Sequence, residues 1–225
     1  MNQYSGWPFA QGSSGNLLAV TGLWLTTAVL AKLTRHKALR PLLLLLTPVW
    51  LITLYFFRDP ERRTLQDDNL VLSPGDGEVV EITPLYEDKY LQADTVRVSI
   101  FLSLFDVHVQ RFPVSGLISQ IEHVPGKKLQ AFRPEASEVN EYMATVIETP
   151  HGRVLLKQIA GILARRCVHY HEPGTAVNAG ERLGLIRFGS RLDLYLPPDT
   201  PLTVQIGDKV YGGLTPLARW QTDHS

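Results

Sequence analysis

A glycine–serine pair near the C-terminus, Gly189-Ser190, has the residue types for unusual backbone chemistry. The apolar residues around it share one parity, which places them on one face of a continuous extended ribbon: Ile186, Phe188, Leu192, Leu194 and Leu196. A glycine inside such a ribbon permits a bend or a close backbone approach. A strained Gly-Ser peptide would let the serine hydroxyl attack the carbonyl before it. The ordinary alternative is a surface β-turn, and this segment taken alone favours the turn.

Two other segments hold side chains that could assist a reactive serine. Asp76 lies in a turn, Ser73-Pro-Gly-Asp-Gly77, that leads into a predicted strand. His108 follows Asp106 by two residues in a run predicted to be a strand over 107–111, so both side chains are expected on one side. Serine is a weak nucleophile without a base, and a histidine with a carboxylate can supply one. Asp-Gly is also a common turn pair, and a lone histidine in a strand is more often a packed residue.

Other classes of site find little support in the sequence. His169 and His171 are too few for a zinc site and adjoin a Glu-Pro-Gly turn, so no metal site is predicted. The single Cys167 excludes an intrachain disulfide and is predicted to be a buried structural thiol. There is no Walker loop, no Gly-x-Ser-x-Gly elbow and no dinucleotide fingerprint. Residues 58–225 are mildly acidic and have no basic stripe, which argues against nucleic acid as a partner.

The elements that must position these residues are predicted to be mainly strands. From Asn69 onward, short runs rich in Val, Ile and Leu alternate with Pro and Gly, at a spacing of about one run per ten residues. This pattern predicts a mainly β fold, with a single β-sandwich or barrel-like catalytic domain. The only helix expected within it, beyond a single turn, is a short one over 136–141.

The first quarter of the chain is predicted to be a membrane-anchoring helical hairpin. Two charge-free segments, Leu17–Ala31 and Pro41–Phe57, flank a basic loop. They are short for a membrane core of about 30 Å, although the first can be extended backwards through uncharged residues. A cleaved signal peptide fits poorly, since no basic region precedes the first segment. Two buried core helices are the alternative, but the second segment has no polar face.

The predicted organisation is therefore an anchor over 1–57, a linker over 58–68 and a catalytic domain over 69–225. Four basic residues lie between the two apolar segments, and Arg58, Arg62 and Arg63 follow the second one. This near balance leaves the orientation undecided by the positive-inside rule. The expected location is the cell membrane, with the catalytic domain at its cytoplasmic face.

Together these segments resemble the phosphatidylserine decarboxylase family, in particular its short bacterial and archaeal branch. The matching motifs occur in order along the chain: Tyr55–Arg62, Ser73–Gly77, Phe105–Arg111, Pro113–Gly116, Ala136–Glu141, Ile159–Gly161, Ala164–Arg166, Gly180–Gly184 and Ile186–Arg191. Three positions depart from the family pattern. Gly75 replaces a usual alanine, Tyr142 stands where arginine is common, and Arg111 occupies the place of a second histidine in longer members. The last departure leaves open which group is the base during maturation.

The resemblance implies that the chain makes its own cofactor. Ser190 Oγ would attack the Gly189 carbonyl, and β-elimination would then release residues 1–189. Hydrolysis would leave a pyruvoyl group at the start of residues 190–225, and the two chains would remain together as a heterodimer. The pyruvoyl ketone would form a Schiff base with the amine of phosphatidylserine in the bilayer. Loss of carbon dioxide would give phosphatidylethanolamine.

The resemblance also assigns Asp76 and His108 as the catalytic partners of Ser190, with His108 placed to protonate the decarboxylated product. Two other functions stay open. One is a non-enzymatic, membrane-tethered β-domain of the same fold, although the presence of all three residues argues against it. The other is a membrane-bound serine hydrolase that uses Ser190, His108 and Asp76 directly, although no oxyanion-hole loop is recognisable. The sequence also leaves a homo-oligomer open.

Overall fold

A computed structural model describes residues 8–34, 36–65, 67–127, 129–130, 135–161, 167–186 and 190–221. The chain divides into two units, Gln3–Pro60 and Glu61–Ser225. Among the described residues, the first unit holds the two long helices and the second holds the strands. The division into an anchor, a linker and a catalytic domain at residues 57 and 68 stays a prediction about function.

The first unit is a pair of apolar helices, α1 (Ser14–Thr34) and α2 (Leu39–Phe56). Both are long and apolar enough to cross a membrane, and most of their side chains are not buried within the protein. The predicted helical hairpin is therefore confirmed. Helix α1 extends beyond the predicted apolar segment at both ends, which gives it 21 residues, or about 30 Å at 1.5 Å per residue.

Two tryptophans join the helices of this unit. The rings of Trp24 and Trp50 stack with centroids 4.7 Å apart. The indole N–H of Trp24 donates to Thr47 Oγ1 at 3.0 Å, and that of Trp50 donates to Thr21 Oγ1 at 3.1 Å. An indole N–H without a partner is costly in an apolar environment. This reciprocal arrangement satisfies both donors between the helices, leaving the outer surface apolar.

The second unit contains thirteen strands and one short helix among its described residues. In chain order they are β1 (Leu70–Leu72), β2 (Gly77–Glu87), β3 (Ala93–Leu102), β4 (Val109–Arg111), β5 (Gly116–Val124), α3 (Ala136–Val139), β6 (Tyr142–Thr149), β7 (Gly152–Ala160), β8 (Cys167–His169), β9 (Ala176–Val177), β10 (Arg182–Ile186), β11 (Ser190–Leu196), β12 (Lys209–Val210) and β13 (Pro216–Arg219). The predicted mainly β fold is confirmed, and the predicted helix over 136–141 is present but ends at Val139.

The strands form three antiparallel sheets. The largest has eight strands in the order β12-β2-β3-β11-β7-β6-β5-β9 and curls into a half-barrel. A three-stranded sheet has the order β4-β10-β8, and a two-stranded sheet pairs β1 with β13. One hydrophobic core includes residues of all three sheets, such as Leu192 of β11, Ile186 of β10 and Leu217 of β13. A second, smaller core contains Tyr195 of β11.

Strand β11 is buried along its whole length because it is paired on both edges and covered on both faces. Ile186, Leu192, Leu194 and Leu196 all belong to the larger core, as their shared parity predicts, and Phe188 lies outside the described residues. The prediction of one continuous ribbon is wrong, however. Ile186 ends a strand of the three-stranded sheet and Ser190 begins a strand of the eight-stranded sheet. The chain therefore passes from one sheet to another between them.

The segment before His108 also differs from the prediction. The strand predicted over 107–111 begins only at Val109. The Asp106 carboxylate accepts hydrogen bonds at 2.7 Å from both the N–H and the hydroxyl of Ser103, which closes a turn. Asp106 is therefore a turn residue, because its side chain satisfies local backbone and hydroxyl donors instead of extending along a strand.

Candidate active site

Ser190 is the first residue of β11 and is fully buried. It pairs with Leu102 of β3 on one side and with Ala160 of β7 on the other. Its Oγ has no hydrogen-bond partner among the residues that the structure describes. Buried hydroxyls are nearly always hydrogen-bonded, and an unsatisfied one calls for a functional explanation. Gly189, the other half of the predicted cleavage site, lies outside the described residues.

The strand register defines which side chains surround Ser190. Residues directly opposite each other in an antiparallel pair point to the same face. Ser190 therefore shares a face with Leu102 and Ala160, and two positions further along β11 with Leu192 and its partner Gln158. Leu102, Ala160 and Leu192 belong to the larger core, which also includes residues of the three-stranded sheet. Ser190 thus lies at the edge of an apolar layer between two sheets.

Asp76 lies in the turn that leads into β2, as predicted, and its carboxylate is bound by Arg62. Oδ1 is 2.5 Å from Arg62 Nη1, and Oδ2 is 2.8 Å from Arg62 Nη2. The backbone of Gly212 closes the arrangement, since its N–H donates to Asp76 Oδ1 at 2.8 Å and its carbonyl accepts from Arg62 Nη1 at 2.7 Å. Both side chains are less than a tenth exposed. A bidentate, buried ion pair of this kind fixes the orientation of both groups.

Backbone hydrogen bonds hold the Asp76 turn in place. Ser73 donates to Thr215 and accepts from Gly213, both at 2.8 Å, and the Arg111 N–H donates to the Pro74 carbonyl at 2.8 Å. The turn packs on the face that bears Ser190. A Cβ atom at Gly75 would lie 2.6 Å from Leu192 Cδ1 and 3.5 Å from Leu102 Cδ2. Glycine at this position therefore leaves room for Leu192, the neighbour of Ser190 on that face.

His108 is fully buried immediately before β4. Its Nδ1 lies 2.9 Å from the carbonyl oxygen of Asp106. Because a carbonyl can only accept, Nδ1 must carry the proton, and the lone pair of the neutral ring is then on Nε2. This is the tautomer in which Nε2 can act as a base. The backbone carbonyl of His108 accepts a hydrogen bond from Gln110 Nε2 at 2.6 Å.

The structure brings the segments of all three predicted residues to one face of the large sheet. Among the residues that it describes, it does not connect their side chains by a chain of hydrogen bonds. The Asp76 turn packs on Leu192, and the His108 segment reaches the face through Gln110, which bonds to Gln158 at 3.0 Å. The Asp76 carboxylate is bound by Arg62 and Gly212. Ser190 Oγ makes no hydrogen bond to either His108 or Asp76. Such contacts are often absent before a catalytic complex forms.

Two groups of site residues are missing from the sequence prediction. Arg62 lies in the segment predicted to be a linker, although it also closes the motif Tyr55–Arg62, and that motif was the available signal. Gln110 lies within the motif Phe105–Arg111, but neither Gln110 nor Gln158 is predicted to be a site residue, since a lone glutamine in a strand has no distinctive chemical pattern. Arg111 is buried and donates to the Gly180 carbonyl at 2.9 Å.

His169, His171 and Cys167 lie on or next to β8. His169 Nδ1 is 3.0 Å from the His171 carbonyl oxygen, and His171 Nε2 is 2.8 Å from that of Arg182. Burial lowers the pKa of His169 to about 4, so its ring is neutral near pH 7. Burial likewise raises the pKa of the Cys167 thiol to about 12, and its Sγ contacts the Gln158 carbonyl at 3.5 Å. Within the described ranges, no three His, Cys, Asp or Glu side chains are grouped as metal ligands would be.

Comparisons with known proteins identify the family of this arrangement. Residues 50–218 match the family model described as phosphatidylserine decarboxylase. The chain is 43% identical over 168 residues to the phosphatidylserine decarboxylase proenzyme of Desulfotalea psychrophila, covering 74% of this chain and 78% of the relative. It is 42% identical over 177 residues to the proenzyme of Carboxydothermus hydrogenoformans, covering 78% and 83%. The proenzyme of Amoebophilus asiaticus is 43% identical over 167 residues, covering 74% of each chain.

Proposed function

Because this chain belongs to the phosphatidylserine decarboxylase family, we propose that it converts phosphatidylserine to phosphatidylethanolamine at a membrane through a pyruvoyl group made from Ser190. Membership of this family identifies the chain as a decarboxylase. Its relatives are named proenzymes, which indicates a self-processed cofactor. The observation that supports Ser190 as the source is its buried hydroxyl at the start of β11, which has no hydrogen-bond partner among the described residues. This serine lies within the matched region, beside the Asp76 turn and the His108 segment.

The strand arrangement is compatible with a chain break before Ser190. Strand β10 keeps its partners β4 and β8, and β11 keeps β3 and β7, because the two strands belong to different sheets. Cutting between Gly189 and Ser190 therefore leaves the described pairings of β10 and β11 intact. This supports the proposal that residues 1–189 and 190–225 stay together as a heterodimer. Once formed, the pyruvoyl group supplies a ketone that condenses with a primary amine and withdraws electrons as carbon dioxide leaves.

Maturation begins at the Ser190 hydroxyl. A base takes its proton, Oγ bonds to the Gly189 carbonyl carbon, and the Gly189–Ser190 C–N bond breaks to give an ester and a free amine. Removal of the Ser190 Cα proton expels the Gly189 carboxylate and leaves a dehydroalanine residue. Water then replaces the nitrogen, which departs as ammonia. His108, whose Nε2 carries the lone pair when the ring is neutral, is the proposed base.

Asp76 is proposed to act through the turn that it stabilises. Its ion pair with Arg62 and its bond from Gly212 hold the turn against Leu192 and Leu102. These leucines lie beside Ser190, so the proposed role of the turn is to hold the apolar surroundings of Ser190 in place. During decarboxylation, His108 is the proposed proton donor to the carbon that loses carbon dioxide. The apolar surroundings disfavour the charged carboxylate of the substrate relative to neutral carbon dioxide.

Helices α1 and α2 explain how the enzyme would meet a lipid that does not leave the bilayer. Their length and apolar composition are consistent with membrane association. We place the enzyme at the cell membrane, with the catalytic domain at its cytoplasmic face. Phosphatidylserine is the proposed lipid partner, since its headgroup carries both the amine and the carboxylate that the reaction requires.

The test uses the purified full-length chain in detergent. Intact mass should show fragments of residues 1–189 and 190–225, and vesicles containing phosphatidylserine should yield phosphatidylethanolamine and carbon dioxide. Ser190→Ala should abolish both cleavage and turnover, whereas Ser119→Ala, at an exposed serine of β5, should change neither. Release of fatty acid or free serine would indicate the hydrolase alternative instead. An uncleaved, inactive wild-type chain would indicate the non-enzymatic domain.

A further inference from the structure

A chain of buried side-chain amides extends from His108 towards Ser190. Gln110 Nε2 donates to the His108 carbonyl at 2.6 Å, and Gln158 Nε2 donates to Gln110 Oε1 at 3.0 Å. Gln110 and Gln158 are both fully buried. The first lies on β4 of the three-stranded sheet and the second on β7 of the eight-stranded sheet, so the amide chain crosses the layer between them.

The amide chain determines which end of Gln158 remains available. The His108 carbonyl can only accept, so the NH2 group of Gln110 must face it. Gln110 Oε1 then faces Gln158 and requires the NH2 group of that residue. Gln158 Oε1 is consequently the outward end of the chain, and it is buried without a partner among the described residues. A buried carbonyl oxygen of this kind lacks a donor, and leaving it unpaired is costly.

Gln158 lies close to the reacting residue. It pairs directly with Leu192, two positions along β11 from Ser190, and its side chain is on the same face. Diagonal neighbours of this type have Cβ atoms about 7–8 Å apart, within reach of a long side chain. The unpaired acceptor is therefore positioned to meet a molecule bound at residue 190.

The chemistry of the substrate indicates which of its groups would meet this acceptor. In a phosphatidylserine headgroup the ionised carboxylate and the phosphodiester can only accept hydrogen bonds, and the primary amine is the group that donates. We propose that Gln158 Oε1 accepts a hydrogen bond from the primary amine of the phospholipid headgroup and positions that amine beside residue 190. This makes Gln158 a residue that selects headgroups with an N–H donor. The inference rests on the proposed function.

The test compares two zwitterionic lipids that differ in N–H donors. Dihexanoyl phosphatidylethanolamine has a primary amine, and dihexanoyl phosphatidylcholine has a quaternary nitrogen with no hydrogen. Their dissociation constants are measured by titration calorimetry on the processed wild type and on Gln158→Met. Gln158→Met should raise the dissociation constant of the ethanolamine lipid about tenfold or more, which is the effect of losing one such hydrogen bond. The dissociation constant of the choline lipid should stay unchanged. Gln120→Met, at an exposed glutamine of β5, should alter neither constant.

Activity measurements provide the second comparison. Loss of amine positioning predicts that kcat/KM for short-chain phosphatidylserine falls about tenfold or more in Gln158→Met, while the extent of self-cleavage stays that of the wild type. If Gln158→Met weakens the binding of both lipids equally, or of neither, the inference is overturned. The proposed function is unaffected by that result as long as the wild type decarboxylates phosphatidylserine. A variant that folds but does not cleave would also overturn the inference, since Gln158 would then act on the precursor.

If Gln158→Met does not fold, the same titrations are made with Gln158→Asn, whose shorter side chain keeps an amide but withdraws the acceptor oxygen, and the same selective loss is expected. If the wild type produces no phosphatidylethanolamine, the proposed function fails and this inference fails with it.

Discussion

Asp76 and Arg62 form a bidentate ion pair in which the two carboxylate oxygens lie 2.5 and 2.8 Å from the two terminal guanidinium nitrogens. The pair joins a turn next to Ser190 to a segment before the first strand. Removing one partner of a buried pair leaves a charge without compensation, at a cost of about 3–5 kcal/mol. Asp76 therefore acts together with Arg62, and substituting either residue should have the same effect on self-cleavage.

Self-cleavage should depend on both members of this pair. Arg62→Met and Asp76→Ala should each accumulate uncleaved precursor, because the turn that covers Ser190 loses its anchor. The double variant should be little worse than either single variant, since the two residues act as a unit. Denaturing gels of freshly purified protein measure the cleaved fraction. Arg63→Met, at the exposed neighbouring arginine, is the matched control and should cleave fully. Normal cleavage in Asp76→Ala would show that Asp76 has no role in self-cleavage.

His108→Ala should lose turnover of phosphatidylserine because it removes the proposed proton donor. The state of the chain then identifies the role of His108 in maturation. An uncleaved product means that His108 is also the base at Ser190, and a fully cleaved but inactive product means that another group is. His123→Ala, at an exposed histidine of β5, serves as the control. A His108→Ala protein that both cleaves and decarboxylates would show that this histidine is an ordinary packed residue.

A truncated chain that begins at Arg58 should still fold and self-cleave. Ser190, His108 and Asp76 all belong to the unit Glu61–Ser225, and the truncation removes both apolar helices. Its turnover should fall strongly on phosphatidylserine vesicles and be largely kept on short-chain lipid dispersed in detergent. The ratio of the two rates, relative to the full chain, is the measurement. Failure to fold or to process would show that the helical hairpin is part of the structural core.

Stability at low pH should depend on a second buried network, on the opposite face of β11. Arg191, the residue after Ser190, contacts Asp193 Oδ1, Glu81 Oε2 and Ser99 Oγ, each at 2.7 Å. Burial alone would raise the pKa of Glu81, but hydrogen bonds from Arg191, Thr83 and Arg97 lower it to about 2 from 4.5. The unfolded chain therefore takes up this proton first as the pH falls. The stabilisation is complete above about pH 4.5 and is lost progressively towards pH 2.

Urea unfolding of the uncleaved Ser190→Ala chain tests the Glu81 network. Adding Glu81→Gln should lower the free energy of unfolding at pH 7 and flatten its decline between pH 4.5 and 2. Glu148→Gln, at an exposed position of β6, is the control for losing a carboxylate. An unchanged acid profile in Glu81→Gln would show that the network does not couple folding to this proton.

His169 should impose a separate pH dependence in a higher range. Burial lowers its pKa from 6.5 to about 4, so the unfolded chain binds a proton that the folded chain does not between these values. Stability should therefore rise with pH from about 4 to 6.5. His169→Asn, in the same Ser190→Ala background, keeps polar atoms near the His171 backbone but cannot titrate, and its slope over this range should be smaller. An identical slope in both proteins would contradict the assignment.

Local patterns in the sequence determined the helices, strands and motifs whose signals come from residues close together along the chain. The shared parity of Leu192, Leu194 and Leu196 predicted strand β11, because alternate side chains of a strand enter the same core. Long charge-free runs predicted the helical hairpin, since only helices satisfy every backbone group within an apolar segment. Ordered motifs identified the family, and they predicted Ser190, His108 and Asp76 as the candidate site residues. Each of these signals is contained within a short stretch of chain.

The tertiary structure alone decided which distant groups meet. Asp76 is bound by Arg62 and by the backbone of Gly212, 136 residues further along the chain. Ile186 and Ser190 are close in sequence, yet they join different sheets. Gln158 reaches His108 through Gln110 only because two sheets pack face to face. Periodicity specifies which side of a strand is apolar, whereas the partner across the core depends on strand order and register, which arise from packing over the whole chain.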